Sequence, residues 1–268
     1  MTERSRPAVL VTGATSGIGA ALCRQLSSSY TVLAHVHRNR TRAAELQREI
    51  RELGGACHLL HADLSDPDGP RGLAREVLSL VGDGREVHLH GIVNNAATLI
   101  GPPLDEITAK DFDQIFAINT RAPLLLIADL LGGMSAGGSI VNISSASAHI
   151  SSPGNVLYAM SKASLESLTI NLAEAIAPMG IRINAVVPGF TDNGDPAFQD
   201  DAALSYMSSF SVLGGVASPG VVAQAVLFLL SSASDRTTGS LLDVSGGTTL
   251  RPRGNRAKSV RDVLPKPR

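Results

Sequence analysis

Tyr158 and Lys162 stand four residues apart in "YAMSK", at the start of a helix-like run, so both side chains leave one helix face. The chain has three tyrosines and four lysines, and a pair at this spacing arises by chance only ~0.04 times per chain. A phenol ordinarily titrates near ~10. A neighbouring ammonium favours the phenolate, and bringing it to neutral pH takes a shift of ~3 units, or ~4 kcal/mol. Tyr158 is then a general acid or base for a carbonyl or alcohol oxygen. Thirteen residues upstream, "NISSAS" ends an apolar run and offers Ser145, a hydroxyl to polarise the same oxygen.

A second constellation lies near the N-terminus. "VTGATSGIGAAL" carries Gly13, Gly17 and Gly19 between an apolar run and a helix-like run. The spacing is G-x-x-x-G-x-G, not the G-x-G-x-x-G of the usual dinucleotide fingerprint. Its place, after a strand and opening a helix, is nevertheless that of an anion-binding loop. Gly13 suits the tight turn, and Gly17 and Gly19 allow close backbone approach. Thr12, Thr15 and Ser16 add hydroxyls.

A dinucleotide without a 2′-phosphate is usually held by a carboxylate about 20 residues further on. No carboxylate occurs between Arg4 and Ala44. The second apolar run ends in "HVHRNRTR", where His35 stands at the place of an acid and His37, Arg38, Arg40 and Arg42 follow. Arginine pairs with phosphate through two donors, so NADP(H) is expected over NAD(H). The alternative is a solvated, basic helix start.

These residues need a scaffold, and the pattern supplies one. Short apolar runs at 8–12, 31–36, 57–62, 89–95, 139–144, 181–187 and 240–245 alternate with helix candidates at 17–28, 41–53, 68–81, 105–133, 156–178 and 219–232. Nearly continuous apolar runs mark strands buried on both faces. The alternation predicts an α/β, doubly wound parallel sheet of about seven strands with right-handed crossovers. One domain is expected over 1–250, with a long connection at 190–218 as the substrate loop and a basic tail at 251–268.

Taken together, these marks resemble the short-chain dehydrogenase/reductase family in its single-domain form, over roughly residues 8–250. The resemblance rests on "TGATSGIG" (12–19), "DLSD" (63–66), "NNAA" (94–97), Asn119 in "AINTRAP", Ser145, the Tyr158/Lys162 pair, "INAVVPG" (183–189) and "TGSLLDVSGG" (238–247). It implies a Rossmann fold and a catalytic tetrad of Asn119, Ser145, Tyr158 and Lys162. Asn119 would kink the fourth helix and hold a water, and Lys162 would bind the nicotinamide ribose and lower the Tyr158 pKa. The resemblance further implies cofactor contacts from Gly13, Thr15, Ser16, Gly17, Ile18 and Gly19, from His37 and Arg38, and from Asp63 and Leu64 at the adenine. Asn95 and Ala96 would lie along the cofactor, and Pro188, Gly189 and Thr191 would flank the nicotinamide. Two departures stand out: Thr191 comes earlier after "PG" than in the family pattern, and "PGVVA" (219–223) lacks its frequent acidic pair. His149, four residues after Ser145, is either a packing histidine or a substrate contact.

The implied activity is hydride transfer between NADP(H) and a ketone or secondary alcohol. The rivals are an NAD-dependent alcohol dehydrogenase and a cofactor-binding scaffold without turnover. Net charge is −1 and charged residues make up 18% of the chain, which points away from nucleic acid. The longest apolar runs, such as "PLLLIADLL", are short for a bilayer, so no membrane partner is expected. The N-terminal "MTERSRPAVL" has no signal-peptide core, and two cysteines, Cys23 and Cys57, suit a cytoplasmic location. No Cys/His cluster has metal-ligand spacing, so no metal is expected. The 190–218 connection carries Asp192, Asp195, Asp200 and Asp201 and no Lys or Arg, which suits a neutral or weakly cationic small molecule. "PLLLIADLL" and "ASLESLTINLAEAI" lie on the two helices that form a four-helix interface in many relatives, which implies a homodimer or homotetramer.

Overall fold

The computed structural model describes residues 6–81, 87–99, 102 and 104–250. The basic tail at 251–268 lies outside them. Seven parallel strands form one sheet in the order β3-β2-β1-β4-β5-β6-β7. The strands are β1 (Ala8–Val11), β2 (Thr31–Val36), β3 (Cys57–His61), β4 (Leu89–Asn94), β5 (Met134–Ile143), β6 (Arg182–Pro188) and β7 (Leu241–Val244). The helices are α1 (Gly17–Leu26), α2 (Arg40–Glu52), α3 (Gly69–Leu80), α4 (Ala109–Phe116), α5 (Ala122–Leu130), α6 (Val156–Ile176), α7 (Asp201–Ser208) and α8 (Pro219–Leu230). This is the expected doubly wound, Rossmann-like sheet.

Strand residues alternate between two cores. Val9 and Val11 of β1 join one core with α1, α2 and α8. Ala8 and Leu10 join the other with α3, α5 and α6. All four residues of β1 are fully buried, which explains why its sequence is continuously apolar and not alternating. The chain winds outward from β1 to β3, then returns to β4 on the other side of β1. A crevice opens at such a reversal, outside the strand C-termini.

Three local expectations change. The predicted helix 105–133 is several pieces. A short 3-10 turn (Leu104–Glu106) precedes α4, whose start is fixed by a Thr108/Asp111 capping box. A π-turn, Ala117–Arg121, then joins α4 to α5. Ala109–Gly133 is long and apolar enough to cross a bilayer by length and composition, contrary to the sequence expectation, but its buried side packs into the sheet-side core. Strand β5 starts at Met134, not 139, because Met134 pairs with Leu89 before a register shift. The connection 190–218 contains a helix, α7, which is too short for periodicity to reveal; Asp200 caps it by accepting from Ala203 N at 2.8 Å.

Candidate active site

The loops that follow β1, β4, β5 and β6 meet at the reversal point around a cavity of about 1000 Å³. Gly13 takes a left-handed φ of 67°. A side chain there would be strained, and its Cβ would lie 2.9 Å from Ala96 Cα. Ser16 caps α1 by accepting from Gly19 N at 3.0 Å. Asn95 braces the same loop: its Nδ2 donates to Thr12 O at 2.9 Å and Gly13 O at 3.1 Å. Thr12 Oγ1 in turn accepts from Asn95 N and Ala96 N, both at 3.0 Å. The loops after β1 and β4 are therefore one hydrogen-bonded unit. Gly13, Thr15, Ser16, Gly17 and Ile18 line the cavity. Gly19 does not; it lies behind the loop, where its missing side chain leaves room for Gly13 O.

At one end of the cavity stand His37, Arg38, Asp63 and Leu64. His37 Nε2 lies 3.3 Å from Asp63 Oδ2. Asp63 Oδ1 accepts from Ser65 Oγ at 2.6 Å and Ser65 N at 2.9 Å, and these bonds hold its carboxyl below the usual range. Asn39 caps α2, so Arg38 sits just before the helix start and not within it. His35 also lines the cavity. It stands at the place of an acid but is 2% exposed. Its Nδ1 accepts from Gly13 N at 3.3 Å and its Nε2 donates to Ala62 O at 3.2 Å. It ties the glycine loop to the end of β3.

Burial holds His35 down at about 4, against an ordinary 6.5, although the bond to Ala62 opposes this. The unfolded chain therefore takes up the proton first as pH falls. Stability from neutral His35 is complete above about 6.5 and is lost between there and about 4, amounting to ~3 kcal/mol. Thermal melts at descending pH should track this loss, with a shallower slope in His35→Gln. Equal slopes in the two proteins would remove His35 from the account.

The other wall carries Ser145, Tyr158 and Lys162. Ser145 follows β5, and Tyr158 and Lys162 sit in the first turns of α6. Lys162 is fully buried, donates to Ile143 O at 2.6 Å, and lies 5.6 Å from the Tyr158 ring centroid. Burial pulls the ammonium down to about 8, and Glu166 opposes that pull. The Tyr158 phenol is pushed up, not down: burial raises it more than its hydrogen bond with Ser145 lowers it. The expected downward shift is therefore absent, because burial outweighs the Ser145 hydrogen bond.

Asn119 lies in the π-turn and does not line the cavity. Its Nδ2 donates to Ser161 Oγ at 2.9 Å and to Thr98 O at 3.0 Å, and its Oδ1 accepts from Thr98 N at 2.8 Å. The side chain therefore locks the loop after β4 onto α6, leaving only backbone groups of the turn for any further role. Pro188, Gly189 and Thr191 do line the cavity. A Cβ on Gly189 would lie 2.7 Å from Ser245 O, and Thr191 Oγ1 donates back to Gly189 O at 3.1 Å. Thr191 also bridges to Ala217, closing the 190–218 connection at its base.

That loop supplies apolar surface. Phe190 and Phe210 meet edge to face at 5.5 Å, and Tyr206 meets Phe210 at 5.2 Å. Three of its four acids accept local backbone bonds: Asp192 from Gly194 N, Asp195 from Ala197 N and Asp200 from Ala203 N. Asn193 packs on Gly17, where a Cβ would lie 2.6 Å from Asn193 Cα. Sequence reasoning missed this contact and also missed Glu166. The spacing of Glu166 from Lys162, four residues on, was the available signal. His149 is absent from the cavity lining and lies with Nε2 at 3.0 Å from Glu166 Oε1. Among the described residues, no group of three or more His, Cys, Asp or Glu side chains could hold a metal ion.

The residues fit a dinucleotide. A left-handed glycine, a capped helix start and a cavity ending in His37 and Arg38 are the donors and the space such a ligand needs. The family model described as enoyl-(acyl carrier protein) reductase matches residues 13–249. The uncharacterized oxidoreductase YgfF of Escherichia coli (strain K12) is 32% identical over 252 residues, covering 89% of this chain and 98% of the relative. Cyclopentanol dehydrogenase of Comamonas sp. (strain NCIMB 9872) is 33% identical over 247 residues, covering 90% and 96%. Among solved structures, the angucycline C-6 ketoreductase LanV with bound NADP superposes with a TM-score of 0.85 at 34% identity, covering 92% of this chain and 97% of that one. With this sheet, this loop and these relatives, the chain belongs to the short-chain dehydrogenase/reductase family and is an oxidoreductase.

Proposed function

We propose that this protein is an NADP(H)-preferring reductase of neutral, apolar ketones, or equivalently a dehydrogenase of the matching secondary alcohols. The observation that carries the reading is one cavity with Arg38 and His37 at one end and Ser145, Tyr158 and Lys162 on its wall. A ketoreductase of the same fold with bound NADP supports it. Bound nicotinamide would supply or accept the hydride. Ser145 orients the substrate oxygen, and Tyr158 exchanges the proton with it. Burial keeps the phenol protonated at neutral pH, which suits an acid and therefore ketone reduction. Lys162, fixed on Ile143 O, holds the ribose and presents positive charge to the phenol. The aromatic wall, and the absence of Lys and Arg from the 190–218 connection, suit an uncharged substrate with apolar bulk.

The test is NADPH oxidation on a panel of neutral ketones and their carboxylate analogues. Neutral ketones are expected to give the higher kcat/KM, and a preference for the anions would overturn the substrate reading. Arg38→Ala should lower the NADPH-over-NADH ratio in kcat/KM by about tenfold, the effect of one charge-assisted phosphate contact. A wild type that prefers NADH would make Arg38 an ordinary surface residue.

We further infer a homodimer or homotetramer. Leu124 on α5 and Met160 and Ile170 on α6 remain exposed on the helices named for an interface. Light scattering at micromolar concentration should give a multiple of the 27.8 kDa chain mass, and a monomer mass would remove this inference. Cys23 and Cys57 are free and buried, and burial pushes both thiols up, which is compatible with work in a reducing compartment.

A further inference from the structure

We propose that Glu166 is a positioning residue for Lys162, a buried carboxylate one helical turn away that keeps the lysine a cation. The inference rests on the role given to Lys162 above. The buried face of α6 runs Ser161, Lys162, Leu165, Glu166 and Thr169, so the end of the helix nearest the cavity turns a polar stripe toward the sheet. Glu166 is 7% exposed. A carboxylate is not kept at such a place without partners, and this one has them. Its Oε1 accepts from Ser144 Oγ at 2.5 Å and lies 3.0 Å from His149 Nε2. Ser144 immediately precedes Ser145, and its own backbone N–H is bonded to Val186 O at 2.8 Å. Glu166 is therefore pinned between the ends of β5 and β6 and cannot swing out to solvent.

Its fixed charge acts on Lys162. Burial alone drives the lysine toward the neutral form, and Glu166 pulls the other way, leaving the ammonium at about 8. Other ionisable groups face the pair. Tyr158 lies on the same helix, below the Lys162 ammonium, and its phenol is held up by burial, so it stays protonated where Lys162 titrates. His149, from the segment after β5, touches Glu166, and Asp243 of β7 interacts electrostatically with His149. The alkaline loss of function then belongs to Lys162, and its position depends on Glu166.

The experiment follows NADPH affinity by fluorescence, and ketone-reduction kcat, from about pH 6 to about pH 10. It compares the full-length wild type, Glu166→Gln and Glu166→Asp. In the wild type, NADPH affinity, which reports the free protein, should fall with a half-point near 8, and kcat should also fall as pH rises. Glu166→Gln keeps the acceptor for Ser144 and removes the charge. Near pH 6 it should match the wild type within about threefold, and its half-point should move down by about one unit. Glu166→Asp keeps the charge and should hold the half-point within about 0.3 unit while melting at a lower temperature. A Glu166→Gln profile parallel to the wild type, lowered equally at every pH, would make Glu166 merely structural and overturn the proposal. So would an aspartate variant shifted as far as the glutamine one. If Glu166→Gln does not fold, Glu166→Met, which also removes the charge, takes its place: a half-point about one unit lower supports the role of charge, and an unmoved one removes it. Turnover retained in Tyr158→Phe would instead overturn the reading of the site, whereas an inactive Tyr158→Phe with an unmoved Glu166→Gln profile would overturn only this inference.

Discussion

Tyr158→Phe should fold, bind NADPH and lose roughly a thousandfold in kcat, the scale of a positioned general acid. The substitution removes one hydroxyl and keeps the ring. Lys162 does not depend on that hydroxyl for its position: its ammonium is fixed by Ile143 O at 2.6 Å and sits 5.6 Å from the ring centroid. The cofactor loop is braced by Asn95 and Thr12, far from the change in sequence and on other strands. Stability and cofactor affinity should therefore stay within about twofold to threefold while turnover collapses. Melting temperature, NADPH fluorescence titration and single-turnover rates measure the three quantities separately. Turnover within tenfold of the wild type would mean that another group donates the proton.

Gly19→Ala should weaken NADPH binding by about a hundredfold or more, although Gly19 does not line the cavity. An added Cβ would lie 2.1 Å from Gly13 O, 2.9 Å from Asn95 Nδ2 and 2.9 Å from Ser16 Oγ. All three atoms belong to hydrogen bonds that shape the loop, Asn95 Nδ2 to Gly13 O and Gly19 N to Ser16 Oγ. The backbone must move, because a carbonyl oxygen cannot yield as a flexible side-chain end can. Such close approach is why glycine is needed there. Gly220→Ala is the matched control. It lies in the first turn of α8, and its Cβ would meet nothing nearer than Gln25 Nε2 at 3.5 Å. That variant should bind NADPH normally and be as stable as the wild type or more so. Equal binding by the two alanine variants would show that the close contact at Gly19 relaxes without cost.

The sequence by itself determined the sheet, its parallel character and the chemistry-bearing residues. Those features are written in short-range patterns: continuous apolar runs for strands buried on both sides, glycines at fixed offsets, and a tyrosine and lysine one turn apart. A pattern of that kind survives whatever the chain packs against. The π-turn at Ala117–Arg121 was legible only through the resemblance, because nothing local in "AINTR" departs from a helix. Helix α7 was hidden by its eight-residue length. Tertiary structure alone decided which polar groups became internal. His35 and Glu166 read as ordinary hydrophilic residues, yet one is clamped between Gly13 and Ala62 and the other between Ser144 and His149. Their partners lie 17 to 27 positions away in the chain. The acids at 192, 195 and 200 show the converse, since each also accepts a backbone N–H of its own local turn. Burial depends on what the rest of the chain brings to a residue, and the free energy of a charge depends on burial more than on its neighbours in sequence. The candidate residues were therefore open to reading, while their burial, and the groups packed against them, came only with the packed fold.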